Sequence, residues 1–313
     1  MNKFSDMSTF VAVVESGSFS EAARRLGTAK SIVSQRVQQL EKRLGCTLLK
    51  RGRPLQLTEA GRSFFGQSRL LLQELERIEE EAQEAGASLH GTLRLAVPTT
   101  FMTRQLAPLL ARFAAKYPAL CVDVEAEDRL SNLQDGHFDM AIRIGQLADS
   151  NLIARTLTAN HHLICASPAY LARRGVPAHP RDLLQHDGLI YLNREPNGVW
   201  SLPLDGAHHA FRIRIRMRTD SGHQLLAGAT AGLGLAILPT FLAADALLAG
   251  DLVPVLSGYT PPGGQISALY RKTIRTSPRI QALIQFLGDE IGQPASWDAA
   301  LIERGILPRV RRA

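Results

Sequence analysis

Ser18-Phe-Ser-Glu-Ala-Ala-Arg-Arg-Leu-Gly-Thr-Ala-Lys-Ser-Ile-Val-Ser-Gln-Arg-Val-Gln-Gln-Leu-Glu41 holds two helical patterns separated by one glycine. Ser18 with Glu21 three residues later is a capping-box pattern, so a helix is expected to start there. Ala22, Ala23 and Leu26 give it an inward face, and Gly27 can supply the left-handed residue that ends it. Thr28 is placed to cap a second helix, whose apolar Ile32, Val33, Val37, Leu40 and Leu44 recur at helical spacing. Ala23 is small where two helices must approach closely. Two short helices joined by a tight glycine turn make a helix-turn-helix, a shape that admits the second helix to a major groove. The outward face of that helix carries Lys30, Ser31, Ser34, Gln35 and Gln38, donors and acceptors of the kind that read base edges. The plainer alternative is a helical hairpin with a solvated polar face.

The flanks favour the first reading. Gly45 stops the second helix, and Thr47 to Thr58 gives two short apolar stretches around Arg51-Gly52-Arg53-Pro54. This is the pattern of a hairpin with a basic tip, a wing placed to touch phosphates or a minor groove. Residues 1–58 carry ten Lys and Arg against four Asp and Glu, whereas residues 59–90 are mostly acidic. That asymmetry, in a chain of net charge +7, points to a separate N-terminal domain that meets phosphate. A second basic cluster, Arg304, Arg309, Arg311 and Arg312, lies near the end.

With these residues in place the chain resembles the LysR-type transcriptional regulators. The matching residues are Phe10-Val-Ala-Val13, Gly17-Ser18-Phe19, Ala22-Ala23-Arg24-Arg25-Leu26, Val33-Ser34, Leu40-Glu41, Leu44-Gly45, Leu48-Leu49, Arg51 and Leu57-Thr58-Glu59-Ala60-Gly61. The resemblance implies double-stranded DNA as a partner, contacted by Ser18, Lys30, Ser31, Ser34, Gln35, Gln38, Arg51 and Arg53. Two departures stand out: Lys30 sits where many members have Gln, and the wing tip is a residue short.

Beyond Thr58, Phe64, Ser68, Leu71, Leu75, Ile78, Ala82 and Ala85 alternate by four and three residues. That is a heptad seam on a long helix with an acidic outer face. It predicts self-association, with Leu71, Leu75 and Ile78 at the contact, although such a helix can also pack on its own domain. The resemblance supports a dimer, with a tetramer as the larger assembly.

After a hinge at Ser88 to Gly91 the pattern turns α/β. Strands are expected at Thr92–Val97, Cys121–Glu125, Phe138–Ile144, His162–Ala166, Ile213–Arg218, Leu235–Leu238 and Ile266–Tyr270. Helices are expected at Leu106–Lys116, Leu133–Gly136, Pro168–Arg174 and Pro278–Leu287, an alternation that predicts a parallel sheet flanked by helices. Cys165-Ala-Ser-Pro-Ala-Tyr-Leu171, Gly175-Val-Pro177, Gly232-Leu-Gly234 and Leu238-Pro239 resemble the co-inducer domain of the same family. The resemblance implies a periplasmic-binding-protein-like domain of two lobes, with chain crossings near 160–162 and 265–267 and a ligand cleft between. Ligands in such folds meet strand carboxyl ends and helix starts. Thr99 and Thr100 after the first strand, with Arg143 and Thr219, are therefore the expected contacts for a small, anionic effector metabolite. Capping or solvated roles remain open for Arg143, and for Asp220 beside Thr219.

Other features point nowhere further. His161-His162 and His208-His209 lack a third metal ligand at useful spacing. Gly228-Ala-Thr-Ala-Gly232-Leu-Gly234 fits a dinucleotide glycine pattern, but it follows a helix late in the chain. No cofactor and no metal is therefore expected. Cys46, Cys121 and Cys165 have no C-x-x-C spacing, and Cys121 and Cys165 fall on strands read as buried. Leu225–Ala244 has no charge, but glycines and Pro239 break it into helix, turn, strand and helix, so no membrane span is expected.

The sequence thus predicts an α/β chain with an N-terminal winged helix-turn-helix (1–60), a long linker helix (61–90) and a C-terminal two-lobed α/β effector domain (91–292). Lobe I takes about 91–161 and 267–292, lobe II about 162–266, and 293–313 is a basic tail. The expected function is a cytoplasmic, non-enzymatic DNA-binding regulator. An NAD(P)-dependent enzyme with a basic arm, or an architectural DNA-binding protein, are the alternatives.

Overall fold

A computed structural model describes residues 3–50, 52, 54–83, 89–127, 138–145, 151–275 and 277–308. One compact unit holds Met1–Gly91, and another holds Thr92–Ser131 and Asp139–Ala313.

The first unit is built from α1 (Lys3–Ser16), α2 (Phe19–Arg25), α3 (Lys30–Leu44), the strands β1 (Leu49–Lys50) and β2 (Gln56–Leu57), and α4 (Glu59–Gln83). Ser18 Oγ accepts the Glu21 amide at 3.1 Å, so half of the capping box forms. The Glu21 carboxylate turns instead to Arg24. Gly27, at φ +60°, closes α2 in a Schellman turn: the Thr28 amide donates to Ala23 O (3.0 Å) and Gly27 to Arg24 O (3.3 Å). Thr28 does not cap α3; Ala29 occupies that position, with no side-chain cap. Phe10, Val13, Ala22, Val33, Val37, Leu40 and Leu48 form the core. Leu26, Ile32 and Leu44, expected inward, are instead exposed; for Ile32 and Leu44 the reason is that the inward stripe of α3 is the narrower Val33–Val37–Leu40 row.

Two polar ties hold the wing. The Glu41 carboxylate accepts the Leu48 and Leu49 amides at 2.8 and 3.1 Å. Thr58 Oγ1 donates to Thr47 O (2.7 Å) and accepts the Gly61 amide (2.9 Å), which starts α4. A Cβ at Gly61 would lie 2.0 Å from Leu48 O, so only glycine fits there. The β1–β2 pair is antiparallel, as a wing requires. Its tip residues Arg51 and Arg53 lie outside the described residues.

The second unit contains β3 (Gly91–Val97), α5 (Thr99–Phe101), a π-turn (Met102–Leu106), α6 (Ala107–Lys116), β4 (Leu120–Ala126), β5 (Met140–Gly145) and β6 (Leu152–Ala159). It continues with β7 (His162–Ala166), α7 (Pro168–Arg174), β8 (Asp187–Tyr191), β9 (Val199–Leu204), β10 (Ala207–Arg212), β11 (Arg214–Thr219), α8 (Gly222–Thr230) and β12 (Leu235–Pro239). The last elements are α9 (Thr240–Ala249), β13 (Val253–Val255), β14 (Gln265–Arg271), α10 (Pro278–Ile291) and α11 (Ser296–Glu303). The expected helix at 133–136 lies outside the described residues.

Two five-stranded sheets result, ordered β4-β3-β5-β14-β6 and β11-β8-β12-β7-β13. Neither is purely parallel. β3 runs parallel to β5, but β14 is antiparallel to both β5 and β6, and β7 is antiparallel to β12 and β13. The reversed strands are those next to the two crossings between lobes, where the chain enters a sheet from its other end.

The glycines of the dinucleotide-like pattern serve packing: a Cβ at Gly234 would lie 2.4 Å from Asp187 O, and one at Gly228 2.7 Å from Met217 Cε. No described helix is long and apolar enough to cross a membrane. Cys121 is exposed, against expectation, because its strand β4 lies at a sheet edge; Cys165 is buried. The segment read as a basic tail begins with α11, whose Trp297 and Leu301 join the core.

Gly61→Ala should destabilise the N-terminal unit by about 1–3 kcal/mol, the cost of overpacking a close contact. Thermal unfolding followed by circular dichroism would register it as a lowered first transition. An unchanged profile would contradict the close α4–wing contact.

Candidate functional site

Two places gather unusual chemistry. The first is the outer face of α3. Lys30, Ser31, Gln35 and Gln38 are exposed and Ser34 is half-buried, while Val33, Val37 and Leu40 underneath are sealed. Ser18, at the start of α2, is exposed as well. The exposed face is held rigid from behind: Arg43 reaches the buried Asp6 at 3.0 Å, which ties the end of α3 to α1.

The seam of α4 divides. Phe64 packs at a tilt against Phe10 with ring centroids 5.6 Å apart, and Ser68 is buried, so the first part of the seam packs on its own domain. Leu71 is 53% exposed and Leu75 is half-buried. The side chain of Ile78 lies outside the described residues.

The second place is a cavity of about 480 Å³ between the two sheets of the second unit. Thr100 and Arg143 line it; Thr99 and Thr219 do not. Thr99 is exposed to one side. Thr219 is spent locally, since its Oγ1 donates to Gln224 Oε1 (2.7 Å) and accepts the Ser221 amide (3.0 Å) at the start of α8. Asp220 is exposed.

The cavity contains residues that the sequence reading did not select: Glu127, Asn160, His162 and Arg194. Glu127 follows the carboxyl end of β4 and Asn160 that of β6, strand-end positions that ligands favour, but β6 was not among the expected strands and the strand expected in place of β4 stopped at Glu125. Arg194 comes from a loop after β8 and carried no local signal. The apolar walls are Phe101, Tyr191, Leu225, Ile237, Phe241 and Leu242.

The lobes touch closely beside this cavity. A Cβ at Gly222 would lie 2.8 Å from Thr100 Oγ1, so glycine lets α8 meet α5. Thr103 Oγ1 and His223 Nε2 share a hydrogen bond of 2.7 Å, and Gln105 Nε2 donates to Phe241 O at 2.8 Å. Arg104 pairs with Asp245. Phe101 packs edge-on against Phe241 (5.0 Å) and Trp297 (6.1 Å).

Burial shapes the charges. It drives His162 down to about 3, helped by the neighbouring Arg194 and His161, so the ring is neutral at pH 7. It pushes the Glu195 carboxyl up to about 7, against the pull of Arg194, whose Nε stands 3.0 Å away. Among the described residues no group of three metal-binding side chains occurs.

These features coincide with known families. The model described as "Bacterial regulatory helix-turn-helix protein, lysR family" matches residues 4–62, and that described as "LysR substrate binding domain" matches residues 86–292. An HTH-type transcriptional repressor of Pseudomonas aeruginosa is 35% identical over 290 residues, 92% of each chain. The HTH-type transcriptional activator AaeR of Escherichia coli is 33% identical over 297 residues, 94% of this chain and 96% of that one. The solved structure of CrgA, a LysR-type transcriptional regulator from Neisseria meningitidis, superposes with a TM-score of 0.60 at 33% identity, covering 93% of this chain and 99% of that one.

The folded protein holds a proton on Glu195 at a pH where the unfolded chain, with an ordinary carboxyl near 4.5, has released it. The folded pKa is the higher one, so stability falls as pH rises from about 4.5 towards about 7. Glu195→Gln should flatten that part of the profile. Melting temperatures of both proteins across this window are the check, and parallel curves would contradict a raised Glu195.

Proposed function

The chain belongs to the LysR family of bacterial transcriptional regulators, and from that premise we propose how its parts divide the work. It is a DNA-binding regulator with an effector-binding domain, not an enzyme. The DNA-reading surface is the exposed face of α3, with Ser31, Ser34 and Gln35 on base edges and Lys30, Gln38 and Ser18 on flanking groups. Exposed Ile32 beside them is suited to a thymine methyl. Arg51 and Arg53 at the wing tip meet phosphates without reading sequence. The observation that carries this reading is the division of α3 into a sealed apolar row and an exposed row of short donors and acceptors.

The domains are taken as 1–60, 61–90 and 91–292, with 293–313 as a C-terminal extension. The later part of α4, through Leu71, Leu75 and Ile78, pairs two copies; the exposure of Leu71, a large apolar residue on the seam, supports this. A dimer presents two α3 helices to a roughly two-fold site. The effector binds in the cavity lined by Thr100 and Arg143, and it acts by favouring one lobe arrangement over another. The working compartment is the cytoplasm. Relatives are named both as activator and as repressor, so the informative readout is affinity for DNA.

Duplex fragments captured by the full-length protein should share one motif. On that motif, Gln35→Ala should lower discrimination against single-base changes by about 1–3 kcal/mol. Arg53→Ala should weaken binding to all sequences alike and flatten the salt slope by about one. Fluorescence anisotropy across a salt series separates the two effects. An altered base preference in Arg53→Ala but not in Gln35→Ala would reverse the assigned roles.

A further inference from the structure

We propose that α11 is a strap that sets the angle between the two lobes of the second unit: it is rooted in one lobe, lies on the other and presses Asp298 against the crossing between them. This rests on the reading that the unit works by a change of lobe arrangement. The family model for this domain ends at residue 292, and α11 (Ser296–Glu303) lies beyond it. Trp297, Leu301 and Leu307 nevertheless belong to the apolar core.

The root is in the lobe built on the sheet β4-β3-β5-β14-β6. The strap follows α10, which packs on β6, and Gln293 Nε2 donates to Leu157 O on β6 at 3.2 Å. The body of α11 then lies along α9, which follows β12 of the other sheet. That neighbour explains the composition of α9. A helix that is apolar all round has to be covered all round. Phe241, Leu242, Ala243, Ala244 and Leu247 of α9 are all buried, and Asp245 is its one charged residue.

Two contacts join the strap to the parts that a lobe movement displaces. Trp297 packs edge-on against Phe101 (6.1 Å), and Phe101 against Phe241 (5.0 Å), so one aromatic row runs from α11 through α5 to α9. Asp298 is 1% exposed, with Oδ2 3.8 Å from His161 Nε2 and its carboxyl beside Thr240, the first residue of α9. His161 lies in the crossing, and its carbonyl accepts the Thr240 amide at 2.9 Å. Crossing, α9 and α11 therefore meet at one point. Burial pushes the Asp298 carboxyl up, against the pull of Thr240 and His161. A buried carboxyl of this kind adds little net stability, and an apolar side chain would hold α11 on α9 without the desolvation cost. What Asp298 adds is position: it fixes where α11 meets the crossing. A rotation of one lobe must slide α11 along α9 or draw Asp298 away from His161, so the strap is a third tie beside the two covalent crossings.

The test is a distance measurement between spin labels in the full-length protein. Gln285→Cys on α10 and Val176→Cys after α7 put one exposed label on each lobe, with Cys46 and Cys121 changed to serine; Cys165 is buried. Labelled chains are diluted with unlabelled ones, so that only distances within a chain are read. The parent protein should give one narrow distance. Trp297→Leu and Asp298→Ala should each broaden it or add a second one, and should change affinity for the captured duplex by at least about fivefold. Leu110→Ala, which trims the core on α6, should lower the melting temperature and leave the distance unchanged, as expected of a residue that only stabilises. If Trp297→Leu fails to fold, Asp298→Ala decides the matter. A lowered melting temperature with an unchanged distance in the α11 variants would make α11 a packing element and overturn the strap. A changed distance with unchanged duplex affinity would uphold the strap and overturn instead the reading that lobe arrangement controls DNA binding.

Discussion

The effector unit depends on a backbone-to-backbone contact at the two crossings between its lobes. A Cβ at Gly263 would lie 1.9 Å from Asn160 O, and one at Gly264, at φ +78°, would lie 2.6 Å from the Gly145 carbonyl carbon. Only glycine permits that approach. It brings the Asn160 amide to Gly264 O at 3.0 Å and aims the Asn160 side chain at Gly263 O. The same contact places His162 and Arg194 against the cavity, since Arg194 is anchored on Pro262. The lobes are not merely hinged there. Phe101, Leu225, Phe241 and Leu242 belong to one apolar cluster that runs through both. A change of lobe angle must break the Thr103–His223 and Gln105–Phe241 hydrogen bonds, so the unit is suited to two discrete arrangements. A ligand shifts such a balance only by the difference in its affinity for the two.

The DNA-reading unit is organised by local rules instead. A Schellman turn at Gly27 sets the α2–α3 angle, and the Glu41 carboxylate holds the start of the wing. Glu41 thereby ties the far end of the reading helix to the wing, and Gly61 brings α4 against the same strand. The helix α3, the strands of the wing and the start of α4 are consequently tied to one another.

That difference explains what could be read from the chain beforehand. The helix-turn-helix was legible because its signals are local: a capping serine, a helical period and a glycine with φ above zero. The errors within it, Ile32 and Leu44 turned outward and Ala29 in place of Thr28 as cap, are errors of one helical step. In the α/β half the alternation of elements was legible, but β6, β9 and β10 were not. Their sequences mix Arg, Thr and His with apolar residues and gain their partners only through distant strands. Mixed strand directions also escaped, because a crossing that reverses entry into a sheet leaves no periodic trace. Of the four proposed effector contacts, Thr100 and Arg143 line the cavity. Thr219 closes a helix cap instead, and Asn160, His162 and Arg194 were hidden because contacts of more than a hundred residues' separation in sequence bring Gly263 to Asn160.

The central claim is that α3 reads DNA while the crossings between the lobes sense the state of the effector unit. Hydrogen exchange of the full-length protein, with and without its captured duplex, tests this most directly. The account predicts slowed exchange across residues 29–38 and in the wing, together with altered exchange at residues 160–162 and 261–264. Unchanged exchange in α3, with protection confined to other surfaces, would contradict it.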